Sequence, residues 1–495
     1  MRSICSLALV LAACGDNQTC EVPASPLPTE GELVDPYAME LPADCVQGGL
    51  LNLPGRWFFV DPSEIFEFSY PRFEGSCSEG FRRSFAGDDD HDPSDGGSRY
   101  TWSDGTRLFT RAEFRFQLPD RSIYTYTSAS AFCVLSTNRI ARATVTLATG
   151  YEPRSTHGIG TRFGRKDALA DGLELVGEVG EAIGALNLVI DGSYAYVAGN
   201  RGLDIVDVTD ASAPRHVANF DGSFNDVKVV HANGKLFAIL APRSGRTLIV
   251  DVTDEQIPRL VSAIPEYSHS LFLQTRGATT ELYLATGESS VPKYDITNPL
   301  APVRIGTAVV PGVEGSVHDL FVDGDRIYAN NTRAGLVAFD VSAGLERPVE
   351  LGRAPASYSH SSWVGTAGGR KIILHGDEGM TKTADGGAYL RVLDGDPASP
   401  KFMTDIGRYQ TRPQVGIHNF EVHGDRAYIA YYQDGVRVVD LSDPTKPREI
   451  AHYNTWDPET APGGAFEGAL GVRVVGDLIY VADDLRGLLI FRKTP

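Results

Sequence analysis

From residue 202 the chain reads GLDIVDVTDASAPR, an apolar run closed by a polar corner. The pattern returns as TLIVDVTDEQIPR (247–259), VPKYDITNPLAPV (291–303), GLVAFDVSAGLERPV (335–349), LRVLDGDPASPK (390–401) and GVRVVDLSDPTKPR (435–448), and a last fragment, GLLIFRKTP, occupies 487–495. An Asp ends the apolar run at Asp207, Asp251, Asp295, Asp340, Asp394 and Asp440, with spacings of 44, 44, 45, 54 and 46 residues. A period of about 40–45 residues suits one four-stranded propeller blade, and the fifth unit carries an insertion. In the first unit, 188–190 reads as the inner strand and Asp191-Gly192 as a two-residue hairpin turn. Strands over 194–198 and 202–207 follow, and a corner with Pro214 leads to an outer strand at 215–220. Runs such as DIVDV and LIVDV are apolar on both faces, as strands sandwiched between neighbouring blades must be. Seven blades are expected, or six if the fifth or seventh unit is divided differently.

The seventh copy ends before an outer strand. The stretch LELVGEV at 173–179, just ahead of the first unit, has the character of the outer strands RLVSAIP and VELGRAP. It is expected to complete the last blade and close the ring, removing the open edges between first and last blades.

Earlier in the chain the pattern is different. Over 45–165, short β-rich runs (RWFFV, IFEFSY, AEFRFQL, SIYTYTSASAFCVL, RATVTLATG) alternate apolar and polar positions between turns. Such alternation marks strands with one wet face and predicts a small antiparallel β-domain. Residues 14–44 are polar and rich in Pro and Glu, which suits a solvated tether; the propeller is expected over 172–495. The fold class is therefore all-β.

Charge and cysteine narrow the setting. The 495 residues carry a net charge of −19 with no basic stripe, which disfavours nucleic acid as a partner. The opening MRSICSLALVLAAC combines Arg2, a short apolar run and small residues before Cys14, the layout of an export signal over 1–13. LAAC resembles a bacterial lipobox, whose cysteine is lipidated; an ordinary signal peptide is the alternative. Gly15 after the cysteine favours the outer membrane. Export permits disulfides, and Cys20, Cys45, Cys77 and Cys133 all precede the repeats. Of three possible pairings, Cys20–Cys45 with Cys77–Cys133 is the expected one. The loop GDDDHDPSDGG offers Asp88, Asp90, Asp92 and Asp95 as oxygen ligands for calcium, or forms a plain solvated hairpin loop.

The units LDIVDVTDASAP, TLIVDVTD and VRVVDLSDPTKP resemble the LVIVD repeat family of bacterial exported proteins, over about 172–495. The resemblance implies a β-propeller and brings no settled activity with it.

The repeated Asp is read as structural, accepting N–H bonds from the following turn. A second set of equivalent positions carries chemistry. YSHSL, SVHDL, YSHSS and GIHNF place His269, His318, His360 and His418 at the start of inner strands, with Asn187 and Asn225 at the same place in the first two units and Gly471 in the seventh. These positions should ring one mouth of the central channel. The imidazoles either bond neighbouring backbone between blades or bind a transition metal, for which neutral imidazole suits Zn, Cu, Fe or Ni. Asp319, Asp377 and Glu378 are nearby candidates for acid/base work. No GxSxG, HExxH, P-loop or dinucleotide fingerprint is present. The expected function is a binding scaffold tethered by lipid at the cell envelope, meeting a protein or glycan ligand with the propeller face. The alternative is a metal-dependent periplasmic or surface enzyme using the histidine ring.

Overall fold

The computed structural model describes residues 41–46, 55–60, 63–68, 98–103, 107–117, 123–136, 139–150, 154–162, 164–379, 388–413, 415–458 and 466–494. Cys14, Cys20, Cys77 and the acidic loop with Asp88, Asp90, Asp92 and Asp95 lie outside them. The chain divides into two compact units. The first comprises Met1–Gly164 with Pro458–Ala465, and the second Arg165–Asp457 with Phe466–Pro495.

The first unit holds one seven-stranded antiparallel sheet. Its strands are β1 (Gly55–Val60), β2 (Ser63–Phe68), β3 (Ser98–Ser103), β4 (Arg107–Gln117), β5 (Ile123–Ser136), β6 (Arg139–Ala148) and β7 (Arg154–Arg162), in the order β2-β1-β7-β6-β5-β4-β3. Ala129, Ala131 and Ala143 are buried with Leu41 and Val145 packed on them. The backbone N–H of Val46 donates to the Val134 carbonyl at 2.8 Å, laying residues 41–46 along β5. That contact brings Cys45 to Cys133, and the two form a disulfide with Cα atoms 5.6 Å apart. The expected pairings Cys20–Cys45 and Cys77–Cys133 are therefore both wrong. Nearness in sequence suggested them, whereas a strand-edge hydrogen bond 88 residues away selected the partner.

The second unit is seven antiparallel sheets in chain order. The first is Ala185–Asp191, Tyr194–Gly199, Gly202–Asp207 and Arg215–Phe220, paired in sequence. Its hairpin loop is Gly192-Ser193, since Asp191 pairs with Tyr194; Gly192 takes a φ of 55°, the left-handed conformation that a tight primed turn demands. Inner strands of the other blades are Phe224–Ala232, Ser270–Arg276, Val317–Asp323, Ser359–Ala367, Phe420–His423 and Ala469–Val475. Each inner strand contacts that of the next blade, and the seventh contacts the first, so the sheets form a closed ring of seven blades. In the last blade the outer strand is Leu173–Val179, paired antiparallel with Gly487–Lys493 from Leu488↔Val179 to Lys493↔Leu173. The sixth blade gains a short fifth strand, Ala170–Asp171.

The cores lie between blades. Tyr196, Leu203 and Ile205 of blade 1 pack on Phe224, Val227 and Leu240 of blade 2. Leu188 and Val197 of blade 1 pack on Tyr480, Leu488 and Ile490 of blade 7, with Val179 of the closing strand. This two-sided burial explains why the third strands are apolar at successive positions rather than alternating. Each fully buried Leu, Ile or Val contributes about 1.5–3 kcal/mol.

The repeated Asp sits at each third-strand end as an N–H acceptor. Asp207 accepts from Thr209, Asp251 from Thr253, Asp295 from Thr297, Asp340 from Ser342, Asp394 from Asp396 and Asp440 from Ser442, at 2.8–3.1 Å. These Asx turns fix the corner before the outer strand. In blade 7, Arg492 takes that position and pairs with Asp477 at 3.0 Å.

Candidate metal centre at the channel mouth

Inner strands begin with a bulge. In blade 1, Ala185 pairs with Gly199 and Asn187 with Ala198, leaving Leu186 as the extra residue. The same shift isolates Asn225, His318, His360 and Leu470 in blades 2, 4, 5 and 7. In blade 3, Ser270 pairs with Ala285, and the His269 N–H donates to the Ala285 carbonyl. In blade 6 the His418 N–H donates to the Ala430 carbonyl. A bulge re-aims the side chain of its extra residue, and here it sets seven residues at one level: Leu186, Asn225, His269, His318, His360, His418 and Leu470.

The pairing corrects the sequence alignment at two places. Asn187 and Gly471 belong one residue further along, in a second layer with Asp226, Ser270, Asp319, Ser361 and Asn419. That layer is a hydrogen-bonded chain. Asn187 Nδ2 donates to Asp226 Oδ1 at 2.7 Å, and Ser270 Oγ donates to Asp226 Oδ2 at 3.2 Å or to Asp319 Oδ1 at 2.5 Å. Lys228 neutralises Asp226 at 2.7 Å. Burial pushes the Asp319 carboxyl up to about 6. Gly471 is required here, because a Cβ on it would come within 2.9 Å of the Asn187 Cα.

The four histidines stand side by side. Ring centroids are 3.9 Å apart for His269–His318, 4.5 Å for His318–His360 and 4.4 Å for His360–His418. His269 Nδ1 meets the His318 carbonyl at 3.0 Å, and His418 Nδ1 meets the Leu470 carbonyl at 2.6 Å. A carbonyl can only accept, so Nδ1 carries the proton in both rings and Nε2 is left as a lone-pair donor. His318 Nδ1 and both ring nitrogens of His360 are buried without a partner at hydrogen-bonding geometry, although the His418 backbone is near His360. Burial, together with the neighbouring imidazoles, holds His318 far below the usual histidine range and His360 and His418 at about 3. His269 is lowered chiefly by burial. The array is neutral at neutral pH.

Glu378 completes the cluster from the loop after the strand Arg370–Asp377. The Asp377 carboxylate accepts the N–H groups of Ser357, Tyr358 and Gly379 at 2.8–3.1 Å, tying together the two segments that carry His360 and Glu378. The Glu378 backbone lies against Gly416, where a Cβ would sit 2.7 Å from the Glu378 carbonyl oxygen. Glu378 Oε2 is 3.8 Å from His360 Nε2, and one donor atom each of His318, His360 and Glu378 fall within 4.8 Å of one another. The Tyr432 phenol donates to Glu378 Oε1, and its ring meets His418 edge-on at 5.2 Å. Burial raises the Glu378 carboxyl and holds the Tyr432 phenol well above its usual range.

The histidines named from the sequence thus come together, and Glu378, an acid/base candidate by its residue type, stands among them. Asp319 lies in the layer beneath, and Asp377 shapes the loop. Sequence reasoning missed Tyr432; its segment YYQDG gives no signal, because its role depends on an unusual backbone conformation.

Two stretches of the chain, residues 184–222 and 418–455, match the LVIVD repeat family model. They correspond to blades 1 and 6. No curated protein matches the chain. Among solved structures, Raptor of Chaetomium thermophilum is 12% identical with a TM-score of 0.48 over 65% of this chain, which spans only 29% of the Raptor chain. The computationally designed Ika8 protein is 10% identical with a TM-score of 0.42, over 65% of this chain and 100% of that one. BamB from Moraxella catarrhalis is 14% identical with a TM-score of 0.38, over 62% of this chain and 81% of that one. Likenesses at this level say nothing of ligands. Blades 1 and 6 of this propeller are thus LVIVD repeats.

Proposed function

We propose that this chain is a propeller scaffold of the cell envelope whose channel mouth holds a first-row transition-metal ion. The ligands are His318, His360 and Glu378, with His269 and His418 alongside. The observation that carries this reading is the pair of unpartnered, buried ring nitrogens on His360, beside a carboxylate and a second imidazole within ligand reach. Leaving such nitrogens unsatisfied costs about 1–3 kcal/mol each, and a metal bond removes that cost for the nitrogen that binds. Imidazole with carboxylate suits Zn, Cu, Fe or Ni over Ca or Mg. The lipobox-like LAAC and the polar tether support display from a membrane anchor.

A metal-dependent enzyme is the second reading, favoured by one feature. Three protein donors leave a coordination position open, as catalytic sites do, and His318 and Glu378, unlike His360, are not fully buried. When bound, the metal would polarise or activate a ligand at that position. Tyr432 and the neighbouring histidines would orient Glu378 and hold the site neutral.

The test is elemental analysis of the untagged chain and of a His318→Ala/His360→Ala variant. About one transition-metal ion per chain is expected, lost in the variant. A well-folded protein that takes up no metal after loading would exclude both the metal scaffold and the metalloenzyme.

A further inference from the structure

The seven-residue ring is not uniform. Blades 3 to 6 contribute histidine, blades 7 and 1 contribute Leu470 and Leu186, and blade 2 contributes Asn225. Asn225 does not face the arc alone. Its Oδ1 accepts from Arg243 Nε at 3.0 Å, and the Arg243 backbone N–H is fixed by the Ser223 carbonyl at 2.9 Å. The guanidinium stands close enough to His269 and Tyr267 to act on both electrostatically. Arg243 is exposed, and among the described residues no carboxylate lies within 4 Å of it. In a chain with a net charge of −19, this arginine is held in place beside the histidine arc with no acidic partner among the described residues.

We propose that the channel mouth binds a small organic carboxylate, anchored by Arg243 beside the histidine arc. With Nε committed to Asn225, the two terminal nitrogens remain as the end-on fork that grips a carboxylate through two parallel hydrogen bonds. One guanidinium matches one negative charge, which fits a carboxylate better than a phosphate dianion. Leu186 of blade 1 and Leu470 of blade 7 follow Asn225 round the ring on the side away from His269, an apolar flank suited to a short hydrocarbon tail. The anchor at blade 2 thus stands between that apolar flank and His269, the first residue of the histidine arc, so a bound carboxylate would lie beside the arc. The anchor itself does not require the metal; the metal reading enters only in making this ligand a neighbour of the open coordination position.

Titration calorimetry with butyrate tests the assignment on the full chain, metal-free and zinc-loaded, with the neutral butyramide as control. Butyrate is expected to bind, Arg243→Gln to weaken it at least about tenfold, the value of a lost charge-assisted contact, and Arg243→Lys to restore part of the loss. Butyramide should be indifferent to both changes. Absence of butyrate binding, or equal binding by Arg243→Gln, would overturn the proposal. Zinc content is measured on the same samples. Zinc uptake without butyrate binding would sink the carboxylate site alone, and Arg243-dependent butyrate binding without zinc uptake would support it while sinking the metal reading.

Discussion

Tyr432 shows how much one residue's conformation can decide. Its φ is 43°, a left-handed value for a residue with a full side chain, which costs about 1–3 kcal/mol unless the surroundings impose it. They do: its N–H donates to the Ala469 carbonyl at 2.9 Å, and its carbonyl accepts the Ala469 N–H at 3.1 Å. The strained backbone aims the phenol at Glu378, leaving the other carboxylate oxygen toward His360. Outer-shell donors of this kind are worth about 10–100-fold in metal affinity. Tyr432→Phe keeps the ring against His418 and should weaken metal binding by that factor in chelator competition; unchanged affinity would remove Tyr432 from the site. His375 gives a cleaner case of proton linkage, because it lies outside the cluster. It is buried with Nε2 on Ser359 Oγ at 2.8 Å, and burial, with Arg391 nearby, pushes it from 6.5 down to about 3. Between those values the unfolded chain binds the proton and the folded one does not. Its contribution to stability is therefore full above about 6.5 and is lost as pH falls toward 3, by about 1.4 kcal/mol per unit. Asp319 and Asp484, raised to about 6 and about 7, act in the opposite sense, so the quantity to read is a difference. The stability gap between wild type and His375→Asn in urea unfolding should shrink as pH drops from 6 to 4. A gap independent of pH would show that His375 titrates normally.

At the scale of elements, the blade edge carries the stability. Leu488 is fully buried between the seventh blade and the first, and pairs in register with Val179 of the closing strand. Leu488→Ala leaves a cavity where the two ends of the array meet and should cost about 2–5 kcal/mol, read as a lower denaturant midpoint at unchanged slope. A loss below 1 kcal/mol would mean that the closing blade adds little to the ring. The bulges are the other decisive element. They were not visible in the hydrophobic pattern, since one extra residue leaves the apolar run intact while rotating the polar residues before it. That is why Asn187 could be mistaken for the counterpart of His318, and why Leu186 and Leu470 were overlooked. In the units bearing histidine, the residue type itself marked the position.

For the whole molecule, two units rest on different supports. The propeller depends on apolar faces between blades, whereas the first unit adds a disulfide, Cys45–Cys133, spanning 88 residues. A crosslink closing a loop of that length contributes about 2–5 kcal/mol. Cys45→Ser should lower the unfolding transition of the first unit by that amount, followed by the near-ultraviolet signal of its aromatics; an unmoved transition would make the bridge dispensable.

The sequence by itself determined the all-β class, the repeat, the Asx corners and the need for an additional strand in the last unit. These follow from local rules: a two-sided apolar strand, a glycine at a tight turn and an aspartate facing the next N–H are each written within a few residues. It also marked four histidines at matching places. Tertiary structure alone decided the rest. Which cysteines meet, which residue each bulge turns into the channel, and how Glu378, Tyr432 and Arg243 come to stand around the histidines all depend on contacts between segments tens to hundreds of residues apart. Such contacts are set by backbone register and packing, and no local pattern records them.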